Sequence, residues 1–168
     1  MPKRSRRYPK KPVRKGTGWQ TAKNRWEGVA APIKWLLENA DRPEPYSARV
    51  LDYGCGRGQD ADTFGWQKYD PNWFPEHPLA NPLIEGGYDF IYCIYVLNVL
   101  PDPKDRAFII RDLRRLLADR GIAYIAVRAD KKIDTVKHQI RLSPNDHPSV
   151  EVIETNNRFQ IWKVKKHG

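Results

Sequence analysis

Residues 50–58 read Val-Leu-Asp-Tyr-Gly-Cys-Gly-Arg-Gly, an apolar run that ends in Asp52 and breaks into glycines at 54, 56 and 58. Glycine reaches backbone conformations that other residues reach only with strain, and without a Cβ it lets a ligand approach the main chain closely. A glycine-rich turn between a buried strand and a helix is where α/β sheets bind nucleotide-like cofactors. The spacing is G-x-G-x-G, with an acidic residue two positions before the first glycine. A dinucleotide site would instead space its glycines G-x-G-x-x-G and seat a pyrophosphate on the helix N-terminus, so a nicotinamide oxidoreductase is disfavoured. Asp70, in Lys-Tyr-Asp-Pro, offers two carboxylate oxygens that can accept hydrogen bonds from two neighbouring hydroxyls. The bland alternative is an ordinary turn-initiating Asp-Pro. Cys55 and Cys93 have no metal-ligand spacing and are too few for a disulfide framework.

The motif Leu-Asp-Tyr-Gly-Cys-Gly-Arg-Gly resembles motif I of class I S-adenosylmethionine (SAM)-dependent methyltransferases. The segment Tyr-Asp-Phe-Ile-Tyr-Cys-Ile-Tyr-Val-Leu-Asn-Val-Leu-Pro at 88–101 resembles the strand that ends beside the methyl group in that family. The resemblance extends over residues 28–166 and implies SAM as the cofactor. By resemblance the loop with Tyr53, Gly54, Cys55, Gly56 and Gly58 passes under the methionine and ribose. Asp52 organises that loop and meets the cofactor's amino group, and Asp70 grips the ribose. Cys93, Ile94 and Tyr95 line the methionine end or the acceptor pocket, although Cys93 reads equally as a core thiol and Tyr95 as a packing aromatic. Asn98 falls where many relatives have a polar residue. Together the motifs are similar to those of small methyltransferase-like proteins that are phage-borne or associated with DNA phosphorothioation.

The chain departs from the family pattern in two places. Only residues 59–69 lie between Gly58 and Asp70, so the first helix and second strand are compressed. Residues 71–87 show no clear third strand and no obvious acidic residue for an adenine amino group, so Trp73 and Phe74 are the candidates to cover the adenine. Asp60 and Asp62 read as helix-start residues. The acceptor has no signature: the chain lacks Asp-Pro-Pro-Tyr, Asn-Pro-Pro-Tyr, Pro-Cys and Lys-Asp-Lys-Glu arrangements. His138 reads as a surface histidine before it reads as a base.

Several elements must hold these residues in place. Val29, Ile33, Leu36, Leu37 and Ala40 recur at helical spacing with Pro32 in the first turn, which predicts a helix over 30–40. Strands are expected at 48–53, 66–70, 88–97 and 122–128, with a short helix at 58–64. Asp102, Pro103 and Asp105 form a helix start, followed by an apolar face of Phe108, Ile109, Leu113, Leu116 and Leu117, with Gly121 as its C-terminal stop. Residues 150–154 and 159–164 flank Thr-Asn-Asn-Arg and read as a terminal hairpin. The fold class is α/β. A Rossmann-like, mostly parallel sheet carries flanking helices and a C-terminal antiparallel hairpin, compressed around its second and third strands.

The 168 residues suit one domain, and the net charge of +10 is unevenly distributed. Residues 1–26 hold ten Lys and Arg and no Asp or Glu, so the excess lies in an arm that precedes a neutral domain at 27–168. The arm has too few apolar residues for a core and is expected to be flexible when free. A basic arm with Tyr8 and Trp19 suits DNA or RNA, through phosphate contacts and base stacking, with solubility or partner binding as the bland alternatives. No run spans a bilayer, and no membrane partner is expected. A basic N-terminus without an apolar stretch and the scarce cysteines suggest the cytoplasm. The leading function is a SAM-dependent methyltransferase with nucleic acid as acceptor. The alternatives are a small-molecule or protein acceptor, or a SAM- or nucleic-acid-binding module without catalysis.

Overall fold

The computed structural model describes residues 28–44, 47–76, 78, 87–131 and 139–167; the basic arm and His138 lie outside them. The elements run α1 (Ala31–Asn39), β1 (Val50–Tyr53), α2 (Gln59–Phe64), β2 (Gln67–Tyr69), β3 (Tyr88–Ile94), a 3₁₀ turn (Leu97–Val99), α3 (Pro103–Leu116), β4 (Leu117–Arg128), a second 3₁₀ turn (Pro144–Asp146), β5 (Glu151–Thr155) and β6 (Phe159–Lys165). They form one sheet of order β2-β1-β3-β4-β6-β5. β1 runs parallel to β2 and β3, and β3 runs parallel to β4. β6 pairs antiparallel with both β4 and β5.

Strand alternation explains why these segments are apolar throughout. Leu51, Ile91, Cys93, Ala123, Ile125 and Val127 pack on one face with Ile109, Leu113 and Leu116 of α3. Val50, Tyr92, Tyr124 and Ala126 pack on the other with Ile33 and Leu36 of α1. A central parallel strand is covered on both faces, so it reads as a continuous apolar run. Each large aliphatic side chain so buried stabilises the fold by about 1.5–3 kcal/mol. The start of α1 is fixed from outside the helix, by the buried Asp60 carboxylate accepting from the Ala30 N–H at 3.0 Å. Asp62 pairs with Lys68 of β2. Both carboxylates are thus engaged by contacts within the chain.

The start of α3 is as expected: the Asp102 carboxylate caps it by accepting from Lys104 N at 2.8 Å. Its end is not. The helix stops at Leu116, and Leu117 is already extended and in register with Tyr88. Gly121 lies inside β4 where the register with β3 shifts, and a Cβ there would stand 2.5 Å from the Tyr88 carbonyl oxygen. Its glycine is demanded by close strand approach at a bulge rather than by a helix stop. Phe108, assigned to the apolar face, is 51% exposed, whereas Arg106 and Asp112 are buried on α3. Among the described residues no strand lies outside β2, in keeping with the expected compression.

Candidate active site

The C-terminal ends of β1, β2, β3 and β4 open onto one cleft of about 720 Å³. The topology dictates this place. β1 leads to β2 on one side and the chain then returns to β3 on the other, and a crevice opens where an α/β sheet reverses in this way.

The glycine loop after β1 is held against the end of β2. Gly54 N and Cys55 N both donate to the Tyr69 carbonyl oxygen, at 2.7 and 3.1 Å, and Gly58 N donates to Cys55 O at 2.9 Å. Gly54, Gly56 and Gly58 have φ of +73°, +54° and +76°. At Gly54 a Cβ would lie 2.4 Å from Val96 Cγ2, so the loop passes directly under the segment that follows β3. Gly58 serves packing: a Cβ there would meet the Lys68 stem at 2.8 Å. Tyr53, Gly54, Cys55 and Gly56 line the cleft, as do Asp70, Ile94 and Tyr95.

Asp70 joins the two loops. Its Oδ2 accepts from Gly56 N at 3.0 Å, and its Oδ1 accepts from Asn72 N at 2.8 Å and Trp73 N at 3.1 Å. A carboxylate has about four lone-pair sites, so three donors leave room for about one more. Burial pushes the Asp70 carboxyl above its ordinary value, and the three backbone donors oppose that rise. Tyr53 is fixed by its hydroxyl donating to the buried Asp112 carboxylate at 2.8 Å, which also accepts from Arg115 at 2.6 Å. Burial, followed by that bond to Asp112, raises the Tyr53 pKa, so the phenol stays protonated. Burial also raises the Cys55 thiol, reinforced by Asp52 and Asp70 nearby, so it is no thiolate nucleophile at neutral pH.

Other expected residues stand elsewhere. Cys93 is fully buried in the core cluster and away from the cleft lining, as the core-thiol reading had it. Asp52 is 4% exposed and lies beneath the loop rather than in the cleft wall. Trp73 is not a lining residue: the Arg57 guanidinium stands 4.6 Å from its ring centre, and Pro71 and Asn72 border the cleft in its place. The Phe74 ring faces the Lys68 ammonium at 4.9 Å.

Two features escaped the sequence. Tyr95 has φ +60°, the only non-glycine with positive φ among the described residues, and its N–H donates to Ala126 O at 2.8 Å. Such strain at a bulky residue persists only where the surroundings impose it, and it gathers at binding sites. The second is a charged wall at the end of β4. Arg128 donates through Nε and Nη2 to the two oxygens of Asp130, both at 2.8 Å, and through Nη1 to Gln139 Oε1 at 2.7 Å. Lys131, and Arg158 from the β5–β6 turn, complete that side. The signal was there in principle, since basic residues directly follow the apolar run of β4 and fall in the hairpin turn, at the sheet end where ligands bind.

Among the described residues no group of three or more His, Cys, Asp or Glu is placed to hold a metal ion, and no helix is long and apolar enough to cross a membrane. No curated protein matches the sequence. Solved structures do match in fold. The N-methyltransferase NodS of Bradyrhizobium japonicum WM9, in complex with S-adenosyl-L-homocysteine, is 13% identical with a TM-score of 0.52, over 72% of this chain and 79% of that one. A putative type 11 methyltransferase of Sulfolobus solfataricus is 17% identical with a TM-score of 0.51, over 71% and 84%. PigF, solved with the same homocysteine product, is 14% identical with a TM-score of 0.51, over 82% of this chain but only 62% of its own length. At such identities the likeness carries the fold alone. The family is carried by a profile of the methyltransferase domain that matches residues 25–157, most of the chain, including the strands β1 to β4 whose ends form the cleft. This chain belongs to the methyltransferase-domain family.

Proposed function

We propose that the cleft binds SAM at the ends of β1 and β2 and that the enzyme transfers its methyl group to a nucleic acid. The observation that carries the cofactor half is the glycine loop. Three successive alternate residues with positive φ, one pressed against Val96, leave a backbone cradle that side chains would fill. The chemistry of the donors fits the cofactor. Asp70 keeps lone-pair capacity for a ribose hydroxyl. The backbone of Gly54–Gly56 suits the polar methionine end, and Ile94, Val96 and Val99 supply apolar wall between them. Two matched structures, NodS and PigF, were solved with S-adenosyl-L-homocysteine.

When bound, SAM supplies a methyl group activated by a sulfonium, so transfer needs in-line positioning, and a base only where the acceptor must lose a proton. Tyr95, held in its strained conformation by Ala126, borders the space an acceptor would enter. Tyr53 is neutral and engaged with Asp112, so its role is to shape the floor rather than to take a proton.

The acceptor half rests on charge. The ten Lys and Arg of residues 1–26 suit a polyanion such as DNA or RNA. The test is transfer of radiolabelled methyl from SAM into a whole-cell extract separated into DNA, RNA, protein and small molecules, with Asp70→Ala as control. Label in DNA or RNA that the variant loses is the expected result. Label confined to protein or small molecules would overturn the acceptor assignment. SAM binding with no label in any fraction would make the chain a binding module.

A further inference from the structure

The cleft is longer than its cofactor end. Neighbouring strands lie about 4.8 Å apart, so the end of β4 stands about 10 Å from the glycine loop that follows β1. At that far end the wall is built from charge. Arg128, Lys131 and Arg158 line it together with one carboxylate, Asp130. Both oxygens of that carboxylate face Arg128, in a two-pronged pair that Gln139 extends. Lys131 and Arg158 make no ion pair with a carboxylate among the described residues, and both side chains are exposed at the mouth. The backbone fixes them side by side, because Ala129 N donates to Arg158 O at 3.1 Å and Arg128 is in register with Phe159. Arg141 adds a fourth cation behind them, its guanidinium against the Ala129 and Asp130 carbonyls at 3.4 and 3.5 Å.

We infer that this wall is an anion subsite for the acceptor, and that Lys131 and Arg158 grip a phosphate of the molecule to be methylated. The assignment to the acceptor rests on the proposal that SAM occupies the β1–β2 end. Three arguments select a phosphate. Among the described lining residues Asp130 cancels Arg128, which leaves Lys131 and Arg158 on two different elements, and a phosphate, with more anionic oxygens and more charge than a carboxylate, can bridge them. The wall lies in a cleft rather than on a convex face, where field lines concentrate and an anion is steered inward. The arm on the same chain carries ten further cations and no acid, so the wall and the arm suit a repeating phosphate backbone. Arg128 is a positioning residue: its fork with Asp130 and Gln139 fixes the end of β4 from which Lys131 projects.

The test compares the full-length protein with a Lys131→Gln/Arg158→Gln double variant, with Lys166→Gln as control because that residue pairs with Asp119 at the opposite end of β4. A fluorescent single-stranded dodecamer is titrated at several salt concentrations, SAM is titrated separately by calorimetry, and melting curves check folding. The expected result is a loss of about tenfold or more in dodecamer affinity in the double variant. Its log–log salt slope should flatten by about 0.7, the value per phosphate contact on a single strand. SAM affinity should stay within about twofold, and Lys166→Gln should behave as wild type. Competition by a nucleoside monophosphate as well as by unlabelled dodecamer would assign a free nucleotide as acceptor, and competition by the dodecamer alone would assign a polymer; either keeps the phosphate subsite. Unchanged dodecamer affinity and slope would overturn it, as would a tenfold loss of SAM affinity, which would give the wall to the cofactor. Failure of the wild type to bind SAM would instead sink the reading on which the assignment rests.

Discussion

Asp70 has two tasks that compete for the same oxygens. It staples the glycine loop to β2 through three backbone donors, and it faces the cleft with the capacity that remains. Burial raises its pKa, so protonation sets in at a higher pH than for an exposed aspartate, whose pKa is about 3.9. A ligand that needs the carboxylate is held above that raised pKa and released as the pH falls through it. SAM affinity should therefore weaken on acidification before ordinary carboxylates titrate, and Asp70→Asn should bind weakly with no such pH dependence; a wild-type affinity that is flat from pH 7 to 4 would contradict this. A pair of glycines separates strain from contact. Gly54 and Gly65 share φ +73°, but only Gly54 has Val96 against it. Gly65→Ala should cost about 1–2 kcal/mol, the strain of a left-handed alanine. Gly54→Ala should cost more and also weaken SAM binding, as urea melts and calorimetry would register. The thiols differ in access: Cys93 should resist alkylation until the protein unfolds, whereas Cys55, at the cleft wall with a raised pKa, should react slowly and more slowly still with SAM present.

Among the elements, β4 shows where local pattern and tertiary packing part. Gly121 after a helical run reads as a helix stop, yet α3 ends at Leu116 and the glycine sits where Tyr88 crowds the strand. Gly121→Ala should therefore destabilise by more than the ~1 kcal/mol of an ordinary helix-terminal glycine, because the clashing atom is backbone. A thermal shift no larger than that of Gly65→Ala would contradict the bulge. The strands β1 and β3, the Asp102 cap and the hairpin were legible because each depends on neighbours in sequence: an apolar run covered on both faces, a carboxylate two residues before its amide, a turn between alternating segments. The glycine loop and Asp70 were legible as cleft residues from the G-x-G-x-G spacing and from the Asp-Pro that follows a short strand. The sequence left Cys93 open between core and cleft, and Trp73 stands outside the cleft lining, because strand parity, and an Arg57 that settles on the indole, decide which face a residue shows. The Arg128–Asp130–Gln139 fork was invisible because Gln139 reaches Arg128 only through the fold.

For the molecule as a whole, charge and topology are separated along the chain. Residues 27–168 carry 20 basic and 20 acidic groups, and the +10 resides in the first 26. If the arm holds phosphates, deleting residues 1–26 should weaken nucleic-acid binding and flatten its salt dependence while SAM affinity is kept; an unchanged slope would remove the arm from that role. The central claim concerns the cleft. It is tested most directly by calorimetric titration of SAM into the wild-type protein and into Asp70→Ala, with melting curves to verify that both are folded. The account predicts one site per chain in the wild type and an affinity at least about tenfold weaker in the variant, the loss of at least about 1.4 kcal/mol that removing a charged hydrogen-bond acceptor brings. Equal affinity in two folded proteins, or no binding to the wild type, would contradict it.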